Sequence, residues 1–223
     1  MITETMRADN PVIPQRRREE TPKIATQATG PRRRYAPPTR MAARSLLGLA
    51  SLPTIVAIGP VDELVQAHQL AAAFTVVQRS CRAQLVLLGA GAQRDAARRA
   101  VPCSARLRVH TFDQPSARLW SDVVAAGDVV VLGIASGSET LLNVLAAGRP
   151  VVAPADPATV GLVVPASAGL VYQPGDLAGM TAAISRILTT PSLRDGMATR
   201  ARKVAQRHRL QRAGRCSEGN GYV

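Results

Sequence analysis

Between Thr54 and Tyr172, short runs of Val, Ile and Leu alternate with segments whose apolar residues recur at helical spacing. The runs are Thr54–Gly59, Gln84–Gly89, Leu107–Phe112, Asp128–Leu132, Pro150–Ala153 and Ala168–Tyr172. They are apolar almost throughout rather than at every second residue, as strands buried on both faces require. Between them lie expected helices over 62–78, 92–100, 115–126 and 138–147, then one capped by Asp176 through about 188 and a last one starting at Pro191. Strand–helix alternation with short turns predicts a parallel sheet covered on both sides. Right-handed crossovers then give an α/β, Rossmann-like doubly wound domain over 39–208. A short helix capped by Thr39 and stopped near Gly48 precedes the first strand.

The flanks read differently. Residues 1–38 are rich in Arg and Pro without a period, and 209–223 lose the apolar pattern; both are expected to be disordered. Positive charge concentrates in Arg16–Arg34 and Arg194–Arg215, within a formal net charge of +13. Such a balance favours anionic partners. Aromatic residues are 3% of the chain, too few for a base-stacking platform, so nucleic acid is not the expected partner.

Cys81, Cys103 and Cys216 are odd in number and widely spaced, which fits neither a disulfide framework nor a zinc cluster. A reducing cytoplasm is the simpler context, with peripheral contact at the membrane inner face through the basic tails left open. No stretch approaches the ~18–20 apolar residues of a spanning helix, and Met1–Arg18 has no signal-peptide core. His68, His110 and His208 have no ligand partner at useful spacing, so no metal is expected. Asp113, Glu139 and Asp156 follow strand ends as scattered cleft carboxylates, not as an acid–base pair. Gly89-Ala90-Gly91 lacks the third glycine of a dinucleotide fingerprint, so NAD is not expected and no cofactor is assigned.

The expected site is the turn after the fourth strand. Ser136-Gly137-Ser138 opens a helix at a strand's carboxyl end, where free amides and the helix dipole attract phosphate. Gly137 permits close backbone approach, Ser138 is placed as the helix cap, and Glu139 suits the first turn. Gly59, ending the first strand, lies on the same edge.

From Thr54 to about His208 the chain resembles the C-terminal, donor-binding half of the retaining GT-B glycosyltransferases. The segments that carry the resemblance occur in order: Thr54-Ile-Val-Ala-Ile-Gly59, Ala83-Gln-Leu-Val-Leu-Leu-Gly-Ala-Gly91, Leu119-Trp-Ser-Asp122 through Leu132, Leu141-Leu-Asn143 through Gly148-Arg-Pro-Val-Val-Ala153, and Ala168-Gly-Leu-Val-Tyr-Gln-Pro-Gly-Asp176. The resemblance implies a nucleoside-diphosphate sugar, UDP- or GDP-linked, held by Gly59, Ser136, Gly137, Ser138, Glu139 and Asn143. It also implies hexosyl transfer in a cleft against an N-terminal acceptor domain, for which 1–38 is too short and too polar. Val12-Ile-Pro-Gln15 is faintly similar to the segment where such chains cross between domains.

The chain departs from the family at the donor. Two glutamates usual around the phosphate turn fall on Ala135 and Asn143, leaving Asn143 to bond a ribose hydroxyl. The basic pair usual after the first strand is absent behind Gly59, where Pro60 and Val65 stand. Hydrogen bonds to charged groups are worth roughly 1.5–3 kcal/mol each, so losing two weakens donor binding by about two to four powers of ten. The expectation is weak binding, little or no activity alone, and no assignable catalytic residue. Alternatives from other classes are a non-catalytic subunit whose partner supplies the acceptor domain, a degenerate gene fragment, and a basic binder of nucleic acid or acidic lipid.

Overall fold

The computed structural model describes residues 38–59, 64–89, 94–112, 115–133 and 136–218. Expectations falling on 1–37, on 60–63 with Asp62 and Glu63, on Ala90 and Gly91, on Asp113, on Ala135 and on 219–223 lie outside them. Among the described residues the strands are β1 (Thr54–Ile58), β2 (Gln84–Leu88), β3 (Val109–Phe112), β4 (Val129–Leu132), β5 (Val151–Pro154) and β6 (Gly169–Tyr172). The helices are α1 (Arg40–Leu46), α2 (Leu64–Ser80), α3 (Arg94–Ala100), α4 (Cys103–Arg106), α5 (Ala117–Ala126), α6 (Ser138–Ala146), α7 (Pro157–Val163), α8 (Leu177–Thr189) and α9 (Pro191–Glu218).

All strands pair in parallel, in the order β3-β2-β1-β4-β5-β6. Every residue of β1, β2, β4 and β5 is buried, whereas the edge strands β3 and β6 are partly exposed. Alternate side chains divide the core between two faces, as a pleated strand demands. Ile55, Ala57, Leu85 and Leu87 pack with Phe74 and Val77 of α2 and Ile184 and Ile187 of α8. Val56, Ile58, Val86 and Val130 face Val123 and Val124 of α5 and Leu141 and Leu145 of α6, with Trp120 against the same cluster. Helix α9 contributes to both faces, Met197 to the first and Ala201 and Ala205 to the second. Strand order reverses between β1 and β4, and ligands of open α/β sheets bind at the strands' carboxyl ends beside such a reversal.

At the opposite, amino end of the sheet sits a buried ionic cluster. Asp128, 3% exposed in its side chain, meets Arg40 at 3.0 Å and Arg194 at 3.5 Å, and pairs with Arg44. Its Oδ2 also accepts from the Thr54 amide at 2.8 Å. Arg44 Nε donates to the Ala126 carbonyl at 3.0 Å. One carboxylate thus ties α1 and α9 to the entrances of β1 and β4.

Within the fold, the structure corrects the sequence reading at two short helices and at Asp156. Helices α4 and α7 were not expected: α4, with four residues, is too short to display a helical period, and α7 carries Gly161 and the β-branched Thr159, Val160 and Val163, which read against a helix. Asp156, expected as a cleft carboxylate, is the cap of α7: it accepts from the amides of Ala158 and Thr159, both at 3.0 Å. Its pKa is lowered, first by the Thr159 hydroxyl and further by these amides, against the opposing effect of burial. The backbone of α9 is helical to Glu218. Arg, Leu, Gln and Ala favour a helix intrinsically, so the turn continues after the apolar stripe has ended.

Candidate functional site

The site is built where the β1 and β4 ends meet. Gly59 leaves β1 with φ of +127°, a region that side-chain-bearing residues rarely enter. A Cβ there would stand 2.9 Å from Ser136 Oγ and 3.5 Å from the Gly133 amide nitrogen. The Gly133 N–H donates to the Ile58 carbonyl at 3.1 Å, extending the β1–β4 ladder by one step. Ser136 Oγ reaches the same carbonyl at 3.4 Å, and the Ser136 amide donates to Gly133 O at 3.1 Å. The sequence separates Gly59 from Ser136 by the whole of α2 to β4; the sheet puts them in contact.

Helix α6 opens directly from this junction, but the cap is not Ser138. Gly137 occupies the N-cap with φ −66° and ψ 160°, and Ser138 is the first helical residue. Among the described residues no side chain caps the helix, and no atom lies within 4 Å of a Cβ placed at Gly137. Gly137, Ser138 and Glu139 are exposed, and Ser136 is half-buried. An uncapped helix start leaves its first amides to water or to an anion. Asn143, also exposed, follows Glu139 by one turn on the same face of α6.

Beside this turn, on the α2–α8 side of the sheet, an apolar pocket opens along the ends of β1 and β4. Ile58, Gly59 and Gly133 form its floor, with Gln66 and Gln69 of α2, Tyr172 of β6 and Met180 of α8 around it. Burial raises the Tyr172 pKa, so its hydroxyl stays protonated. These side chains escape sequence reasoning because each belongs to an ordinary helix or strand pattern and converges only through the crossovers. The one available signal was position: Tyr172 ends a strand, as Gly59 and Gly133 do.

His68 is exposed and His110 half-buried, with the His110 pKa lowered by burial and by Arg98. Among the described residues no group of His, Cys, Asp and Glu is arranged to hold a metal ion. None of the described helices is long and apolar enough to cross a membrane.

The sequence profile of a family described as Glycosyl transferases group 1 matches residues 52–190. No curated protein sequence matches the chain. Among solved structures the chain is similar to WaaG, a glycosyltransferase involved in lipopolysaccharide biosynthesis, with a TM-score of 0.67 at 21% identity over 77% of this chain and 47% of that one. It is similar to the C-terminal domain of the group 1 family glycosyltransferase LpcC from Francisella tularensis, with a TM-score of 0.67 at 15% identity over 77% and 94% of the two chains. HepE of Anabaena, solved with UDP and glucose, gives 0.64 at 17% identity over 80% and 52%. These likenesses are of fold. The chain spans about half the length of WaaG and HepE, and nearly all of the LpcC domain.

Proposed function

The chain belongs to the glycosyl transferases group 1 family, and from that premise we propose that it binds a nucleoside-diphosphate sugar at the junction of Gly59 with the start of α6. The observation that carries the reading is the contact between Gly59 and Ser136 under a helix whose N-cap is an uncapped, exposed glycine. The diphosphate lies against the first amides of α6, with Ser136 and Ser138 hydroxyls as further donors. Gly59 allows the close approach of the ligand to the β1 end. Asn143 donates to a ribose hydroxyl one turn along the helix. Glu139 opposes the charge of the diphosphate, and no basic pair follows Gly59 in the sequence. Both features make the binding weak. The proposal confines this domain to holding the donor; transfer needs an acceptor site that these residues do not form.

The test is thermal stabilisation by UDP-glucose, a GDP-hexose and the free diphosphates, in wild type and Gly137→Asp. A tenfold excess over Kd stabilises a domain by about 1.4 kcal/mol, which raises Tm by about 3–6 °C at this chain length. Asp at 137 meets no steric obstacle among the described residues and is a better cap than glycine, so the variant folds at least as well. Its carboxylate fills the helix mouth and repels the diphosphate, so the ligand response disappears. An equal shift in both proteins removes the proposed site.

A further inference from the structure

Among the described residues, the amino end of the sheet carries more positive charge than its carboxylates neutralise. Arg40, Arg44, Arg149, Arg194 and Arg202 converge there, facing Asp128 and the largely exposed Asp195. Asp128 is already shared by Arg40, Arg44 and Arg194. Arg149, two residues before β5, is only 7% exposed, and its Nε is buried without a hydrogen-bond partner among the described residues. The Nε of Arg40 is in the same condition. Both side chains, with Arg202 and Thr39, wall one pocket of about 410 Å³ between α1, the end of α6 and α9. Arg202 lies across Gly148: a Cβ there would fall 2.3 Å from its Nε.

Buried donors without acceptors require an explanation, and a buried guanidinium whose nearby carboxylate is already bonded to other arginines more so. Burial, with Arg40 and Arg202 nearby, lowers the Arg149 pKa to about 10, which still leaves a cation at neutral pH. Guanidinium groups present planar forks of donors that match phosphate oxygens. We propose that this pocket, walled by Arg40, Arg149 and Arg202, binds the phosphate group of a phosphate monoester. The volume lies in the range of small-ligand sites and exceeds what a bare phosphate ion needs. The site is at the opposite edge of the sheet from Gly59 and Ser136, and stands whether or not a nucleotide sugar binds there.

The experiment is a titration of Tm with sodium phosphate, against sodium chloride at matched ionic strength, in wild type, Arg149→Met, Arg202→Gln and Gly137→Asp. Expected is a saturable rise in wild type, roughly 5 °C or more at a hundredfold excess over Kd. Gly137→Asp keeps the full response, because the mouth of α6 is not this site. Arg202→Gln, altering an exposed side chain, weakens phosphate about tenfold or more. Arg149→Met loses the response while its Tm without phosphate is unchanged or higher, since an uncompensated buried charge has gone. Glucose 6-phosphate acting at lower concentration than inorganic phosphate, with glucose inert, assigns a soluble ester. Flotation with phosphatidic acid vesicles, lost in Arg202→Gln, assigns a lipid headgroup. A rise that follows ionic strength alone, survives both arginine substitutions or vanishes in Gly137→Asp overturns the proposal.

Discussion

Replacing Asp128 by Asn tests how the sheet holds its flanking helices. The substitution keeps the shape of the side chain and an oxygen for the Thr54 amide, which now lies 2.8 Å from Oδ2. What disappears is the negative charge shared by Arg40, Arg44 and Arg194. Arg44 is 9% exposed and keeps a single carbonyl partner, Ala126 at 3.0 Å, so its charge is left buried and uncompensated. Removing one member of a buried ion pair costs about 3–5 kcal/mol. At about 2–4 °C per kcal/mol for a chain of this size, Tm falls by about 6–20 °C. Urea unfolding followed by circular dichroism gives the free energy directly, provided the slope with denaturant is unchanged. The double variant Asp128→Asn with Arg44→Met should lose less than Asp128→Asn alone, because the stranded charge has gone with its partner. A loss below about 1 kcal/mol for Asp128→Asn, or simple additivity in the double variant, would refute the reasoning.

Gly59→Ala places a methyl group 2.9 Å from Ser136 Oγ in a backbone region that alanine avoids, and should cost about 1–3 kcal/mol in unfolding free energy together with the nucleotide-sugar response. Adding Ser136→Ala should recover only the steric part, since the backbone strain remains; urea titration of the pair separates the two. Gly169→Ala directs its Cβ to 2.1 Å from the Val151 carbonyl oxygen, a backbone atom that cannot swing away, so β6 must shift from β5 and stability should fall by about 1–3 kcal/mol or more. Asp156→Ala should remove about 1 kcal/mol at neutral pH with the loss of the α7 cap. The Asp156 pKa is lower folded than unfolded, so its contribution is complete above the usual carboxylate range and is lost as pH falls through the folded value. The difference in Tm between wild type and Asp156→Ala should therefore shrink on acidification from about pH 5 downward.

The strands were legible because burial on both faces leaves an unmistakable residue: Ile55-Val56-Ala57-Ile58 and Val129-Val130-Val131-Leu132 have no polar member. Helices of nine residues or more that the structure describes showed their period, and Thr39 and Asp176 announced their caps. The start of α6 was legible within a residue, but its cap was misassigned. A serine after a glycine is the better capping residue by chemistry, yet the backbone leaves helical geometry at Gly137, one position earlier.

Local spacing along the chain thus determined which segments are strands and which are helices, because the periods of two and of 3.6 are properties of neighbouring residues. Strand order was decided only in three dimensions. It brings Gly59 against Ser136, and sets Tyr172 in one pocket with Gly59 and Gly133, by crossovers that no local pattern encodes. The same holds for charge: the sequence shows arginines as runs at its two ends, while the folded chain selects Arg40, Arg44 and Arg194 for one carboxylate and leaves the Arg149 Nε without a hydrogen-bond partner among the described residues. Burial makes that difference matter, since a charge in water needs no particular neighbour and a charge beneath a sheet edge does.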